Sequence, residues 1–359
     1  MKRFVLALMM VFTAACIFAQ SDLQVLAVVK LNKNESITVK QLKTRVEVYQ
    51  KQTGSQISVK DRKKVLDSLI QEKVVVQAAA KAGLTVTDSA VEEYFLQTVS
   101  QSIGKKVTEQ EFEEIVKQQT NMSLDEYMKK QTGLSVLDYK AYLKSQMISQ
   151  QYILSQKQNE LQQVFASDEE IRGYYELNKT SFVWNDMIKL YLVNVPAAGD
   201  IEKARVKAND LYGKLKDKKI STNQLSVDSK KEGSGFQAGE ALVNKSQLSA
   251  QQLGVSYGTL LDLFEKEKGW VSGLEERESG FLFYTIIKKY DAKMLSLSDV
   301  VEPDTTVTVY DYIRNALGKQ KQMEYLQQAA QEIVNELTAD SKNVEYKKTD
   351  AELDKLLSW

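Results

Sequence analysis

Only two prolines occur in 359 residues, Pro196 and Pro303, and none precedes Pro196. Proline inside a helix removes a backbone hydrogen bond and clashes with the preceding turn, so long helices can run uninterrupted through the first 195 residues. The same stretch is dense in helix start signals: Ser58, Thr87, Thr108 with Glu111, Ser123 with Glu126, Ser135 with Asp138, and Ser167 with Glu170. A hydroxyl residue with an acid three positions later satisfies the otherwise unpaired first amides of a helix reciprocally. The pattern predicts helices in series.

The clearest of them lies within residues 65–91, VLDSLIQEKVVVQAAAKAGLTVTDSAV. Leu66, Leu69, Ile70, Lys73, Val74, Gln77 and Ala78 are adjacent or three to four apart, which gives one broad, mostly apolar helix face. Gly83 is placed to end that helix in the left-handed conformation, and Thr87 to cap the next. Before it, the apolar run Val25–Val29, the polar Asn32–Glu35 and then Ile37–Val39 read as a short hairpin. From Val136 to about Ala166 no breaker occurs, and at 1.5 Å per residue that helix would be about 45 Å long.

The wording of residues 65–91 resembles the N-terminal domain of SurA-like and PrsA-like extracytoplasmic chaperones, in which "LIxEKLLLQAAKKxGITVxDxEV" recurs. A second stretch, SDEEIRGYYELNKTSF at 167–182, resembles the phrase that precedes a parvulin-type prolyl isomerase domain in these proteins. The texture then changes. Met187 to Val195 alternates and is β-rich, Asp200 to Lys216 is amphipathic, and Phe281 to Lys288 is again a strand. Leu260 to Phe264 with the following GWVSGLEERESGFLFYTIIKKY resembles the closing half of a parvulin domain, whose glycine-rich loop survives here only as Gly233–Phe236. After Pro303, Tyr312, Ala316, Lys319, Met323, Leu326, Ala330, Ile333 and Leu337 are spaced by alternating four and three residues, a seam suited to packing on other helices. In SurA-like chaperones the C-terminal helix returns to complete the N-terminal domain; a free-standing dimerisation helix is the competing reading.

Composition narrows the function. Lys plus Arg and Asp plus Glu number 48 each, a balance that argues against nucleic acid as the main partner. Residues 1–19 read as a signal peptide: Lys2 and Arg3, an apolar run from Phe4 to Ala15, then small residues, with cleavage expected after Ala19. The Thr13-Ala14-Ala15-Cys16 run loosely resembles a lipobox, so lipid anchoring through Cys16 stands as the alternative to soluble export to the periplasm. Cys16 is the only cysteine, which excludes a disulfide framework.

The chain has no histidine. Parvulins use a hydrogen-bonded histidine pair, one on the first strand and one on the last, beside a cysteine or aspartate. The resemblance sets Leu190, in Leu190-Tyr191-Leu192-Val193, at the first histidine and Leu282, in Gly280-Phe281-Leu282-Phe283, at the second; Asp228 is the nearest match to the acidic position. Two leucines cannot hydrogen-bond, so no catalytic residue is assigned and isomerase activity is expected to be low. What the resemblance leaves is a shallow apolar groove for an extended peptide, formed by Leu190, Leu260, Phe264 and Leu282, unless these four are simply core. Histidine- and thiolate-based metal sites are excluded by composition, and no metal or other cofactor is expected. A serine nucleophile lacks its usual imidazole base, and no phosphate-binding glycine loop appears.

The expected fold is α+β: a SurA-like helical domain (20–182) completed by a C-terminal segment (293–359), with a degenerate parvulin-like domain (183–292) inserted. The expected function is an ATP-independent periplasmic chaperone that holds unfolded exported polypeptides, outer-membrane proteins in particular. The alternatives are an active peptidyl-prolyl isomerase and an envelope lipoprotein acting as a structural adaptor.

Overall fold

A computed structural model describes residues 22–359, so the expected signal peptide and Cys16 lie outside the described residues. The chain is α+β, rich in helix with small antiparallel sheets, and its described residues divide into two compact units: those up to 165 with 320–359, and residues 166–319.

The first unit opens with the expected hairpin, β1 (Val25–Val29) against β2 (Glu35–Thr38). Thr38 also caps α1 (Val39–Thr53) in a reciprocal box with Gln41. α2 (Val59–Lys81) starts at Ser58 and buries Leu66, Leu69, Ile70 and Val74 against β1, Leu42 and Val46. It stops as expected at Gly83, at φ +75°, with the Leu84 amide donating to the Ala79 carbonyl at 2.9 Å, the bond that closes a left-handed helix end. α3 (Asp88–Ile103), α4 (Glu109–Thr120), α5 (Leu124–Thr132) and α6 (Val136–Leu161) follow, capped by Thr87, Thr108, Ser123 and Ser135 as the sequence predicts. Each such cap contributes about 1 kcal/mol. Phe95 stands at the centre of their shared core, edge-on to Phe112 and Tyr139 with ring centroids 6.4 and 6.1 Å apart. α6 ends at Leu161, short of the expected Ala166.

In the second unit α7 (Asp168–Asn178) is capped by Ser167 and Glu170 and leads through β3 (Val183–Trp184) into β4 (Met187–Pro196). Then come α8 (Ile201–Lys216), α9 (Thr222–Ser229), β5 (Gln237–Asn244), α10 (Gln247–Leu253), α11 (Tyr257–Glu265), β6 (Glu275–Arg277), β7 (Gly280–Tyr290) and β8 (Lys293–Met294). The main sheet has the order β5-β4-β7-β6, every neighbour antiparallel. Alternation along β4 divides its side chains. Tyr191, Val193 and Val195 face α8 and α9, whereas Ile188 and Leu190 pack with α10 and α11. Gly280, at φ +143°, begins β7 where a Cβ would lie 2.2 Å from the Val195 carbonyl oxygen, so the close turn into the sheet requires glycine. A smaller core joins α7 to the segment after β8: Ile171, Tyr175, Phe182, Leu295, Val309 and Ile313 are buried together, and the Tyr175 hydroxyl donates to the Leu295 carbonyl at 2.8 Å.

The last long helix, α12 (Val309–Ala339), corrects the predicted seam. In its first half Tyr312 is 52% and Met323 is 72% exposed, and Ala316 and Lys319 are exposed as well. The buried face there is Val309 and Ile313, with Leu317 half-buried. Farther on the expected positions are inward: Ile333 is buried, and Leu326, Ala330 and Leu337 are half-buried. The helix changes partners between its halves, and each core selects its own face.

From residue 320 onward the chain belongs to the first unit. Tyr325 donates to the Glu160 carboxylate at 2.7 Å and the Gln322 amide to the Val164 carbonyl at 3.2 Å, so these contacts run along and just beyond α6. β9 (Val344–Tyr346) then adds to the free side of β1, and α13 (Asp350–Leu356), with Leu353 and Leu357, closes the core over α2.

Candidate functional site

The four residues expected to line a groove are all covered. Leu190 and Leu260 are 0% exposed, Phe264 7% and Leu282 9%. The structure brings Leu190, Leu260 and Phe264 into one core between the sheet and α11. Leu282 lies on the same sheet face but is not beside Leu190. The residue paired with Leu190 is Ile286, whereas Leu282 pairs with Asn194, four residues along the strand or about 13 Å. The position opposite Leu190 is thus apolar too. Asp228 sits near the end of α9, where Lys231 at 2.6 Å and Gln224 at 3.0 Å hold its carboxyl below the usual range. It makes a surface ion pair. Sequence reasoning missed the polar groups buried on this sheet: Tyr191, whose hydroxyl lies 2.7 Å from Ser226 Oγ, and Ser272 and Thr285, which interrupt apolar runs.

The larger open surface follows α6. This helix of 26 residues carries 1 buried side chain, Leu143, so its apolar residues are largely half-covered. One hollow of about 640 Å³ is lined by Val86, Tyr94, Leu143, Met147 and Leu154 together with Gln146, Gln150 and Gln151. A second, of about 380 Å³, shares Gln146, Gln150 and Leu154 and continues over Ile153 to Leu326 and Ala330 of α12. The shared residues place the two hollows side by side, together a trough lined by apolar side chains and glutamine amides. Ser149 Oγ is buried beside it without a hydrogen-bond partner among the described residues.

On the other flank of α6 a cavity of about 500 Å³ is charged, lined by Lys40, Arg45, Glu72, Lys73, Asp138 and Tyr142 among others. Arg45 donates to Glu72 at 2.8 Å and stacks over the Tyr142 ring at 5.0 Å. Burial alone would lower the Arg45 pKa, but the Glu72 carboxylate outweighs it and the guanidinium is held more firmly charged. Burial pushes the Tyr142 phenol up. This contact fixes α1, α2 and α6 together and so sets the wall of the trough.

Among the described residues no group of three His, Cys, Asp or Glu side chains is placed to hold a metal ion, and no helix is long and apolar enough to cross a membrane.

The class of protein to which this chain is similar is that of the SurA- and PrsA-like chaperones and foldases. Residues 3–103 match the family described as SurA-like N-terminal domain. The foldase protein PrsA of Clostridium acetobutylicum is 26% identical over 208 residues, an alignment spanning 57% of this chain and 56% of that relative. The chain thus spans little more than half the length of the curated relative it matches.

Solved structures with the same description also align. One is from work describing PEB4 and Cj1289 of Campylobacter jejuni as SurA-like chaperones (17% identity, 90% of this chain and 99% of that chain, TM-score 0.33). Another is the PrsA foldase of Lactococcus lactis (15%, 94% and 100%, TM-score 0.29).

Proposed function

We propose that the protein is an ATP-independent extracytoplasmic chaperone that holds unfolded exported polypeptides, outer-membrane proteins in particular. The observation that carries this reading is the trough along α6. Apolar residues such as Met147, Leu154 and Leu326 offer contact without a fixed sequence, and methionine adapts its shape to varied partners. The glutamines add amides that both donate and accept, and these can pair with any exposed backbone. The similarity to SurA- and PrsA-like proteins supports the same reading.

In this proposal residues 20–182 and 293–359 form the chaperone body and residues 183–292 a parvulin-like domain without isomerase activity. Export follows from the leader, to the periplasm as a soluble protein or with Cys16 as a lipid anchor. Leu190, Leu260, Phe264 and Leu282 serve the domain's core, and a peptide could use them only if that core opened.

The test is light scattering from an unfolded outer-membrane protein diluted into buffer without nucleotide. Suppression of aggregation by the mature protein is expected. No suppression at a large molar excess would promote the adaptor reading instead.

A further inference from the structure

The face of the main sheet opposite Leu190 holds a cavity of about 510 Å³, within the range of small-ligand sites. Its apolar wall includes Leu215, Ile220, Val271 and Ile287. Thr285, in the middle of β7 and only 5% exposed, lines it, and its hydroxyl makes no hydrogen bond to another described residue. A threonine hydroxyl can donate one hydrogen bond and accept others, so this one can serve a ligand in the cavity. Neighbouring polar groups on this sheet are satisfied: Tyr191, across the strand from Thr285, reaches Ser226, and the Ser272 hydroxyl donates to the Gly273 carbonyl and accepts from the Tyr284 amide.

Charge at the cavity has one sign. Lys218 and Lys268 line it, and among the described residues neither forms an ion pair. Neither Asp217 nor Glu267, their neighbours in sequence, lines the cavity, and Asp217 is held by Lys219 at 2.9 Å. The wall also includes Ser221 and Thr222, the cap and first residue of α9, so the positive end of a helix contributes.

We propose that this cavity binds a carboxylate carried on an apolar body, the carboxylate taken by the two lysines and the Thr285 hydroxyl and the body by the leucine, isoleucine and valine wall. The site is separate from the α6 trough, so it stands or falls independently of the chaperone reading.

Calorimetric titration of the mature protein with 3-phenylpropanoate tests it. Binding is expected, weakened by about tenfold or more for the neutral 3-phenylpropanamide and for the Lys218→Gln/Lys268→Gln protein, and retained by the double Lys→Arg protein. Thr285→Val should weaken binding with an unchanged circular dichroism spectrum. Three results would overturn the proposal: no binding at millimolar acid, equal binding of the amide, or equal binding by the glutamine variant. Inorganic phosphate binding as tightly as the acid would also overturn it, because the apolar wall would then have no part.

Discussion

The Tyr346 hydroxyl donates a 3.1 Å hydrogen bond to the Asp67 carboxylate, tying β9 to α2 across 279 residues of sequence. Burial pushes both groups up, Tyr346 to about 12, and the charge of Asp350 adds to the shift of Asp67. For Tyr346, an acid whose folded pKa is raised, stability is fully present below the unfolded value near 10 and is lost as pH rises from about 10 to 12. Thermal melts of wild type and Tyr346→Phe should therefore converge at alkaline pH, the wild type losing more of its melting temperature over that interval.

Asp67 follows the same sign. Its protonated form is favoured by folding, so its stabilisation is present in acid and is lost as pH rises through its raised pKa, leaving a partly desolvated charge at neutrality. Asp67→Asn keeps an acceptor for Tyr346 and removes that charge. The variant should melt higher than wild type at pH 7 and no higher in acid. A lower melting temperature at pH 7 would contradict the burial argument.

The return of the chain to the first unit depends on a few apolar side chains. Leu357 is fully buried in the core with Leu66 and Ile70. Leu357→Ala should cost about 2–5 kcal/mol of that unit's stability, measured by urea unfolding. An unchanged midpoint would mean that α13 does not close this core.

Gly280 makes a sharper demand on the second unit. An added Cβ would meet the Val195 carbonyl oxygen at 2.2 Å, and the backbone is at φ +143°. Gly280→Ala should destabilise by about 2–4 kcal/mol, with the loss confined to the sheet's hydrogen-exchange protection.

Two surfaces have functional expectations. Met147→Glu with Leu154→Glu places charge in the trough and should roughly halve or abolish suppression of aggregation while leaving the melting curve near wild type, since both sites are only partly covered. In a protease-coupled peptide assay, X-Pro isomerisation should stay near background, because the chain lacks histidine and Leu190 faces Ile286. A robust rate would show that this sheet catalyses by other groups.

The helix starts were legible because caps are local chemistry: Thr108 with Glu111 and Ser123 with Glu126 need no distant residue to form. Gly83 was legible for the same reason. The partner of Leu190 was not. Alternation has a period of two, so sliding β7 by four residues leaves Leu282 and Ile286 on one face, and the hydrophobic pattern cannot tell them apart. The seam of α12 failed for a different reason. A heptad reading assumes one partner along the helix, whereas Val309 and Ile313 answer to one core and Ala329 and Ile333 lie on the part that packs in another unit. The trough was hidden because α6 has no strongly one-sided pattern: its apolar residues are spread around the helix and only the tertiary fold decides which stay half-covered.

The amide lining of that trough has a consequence for its response to salt. Gln146, Gln150, Gln151 and Gln327 carry dipoles and no net charge, and added ions screen full charges far more than short-range amide hydrogen bonds. Attraction through this surface should vary little with ionic strength, whereas anything drawn to Lys40, Lys73 and Asp138 on the opposite flank of α6 should be released as salt rises. One helix thus separates a salt-tolerant face from a salt-sensitive one.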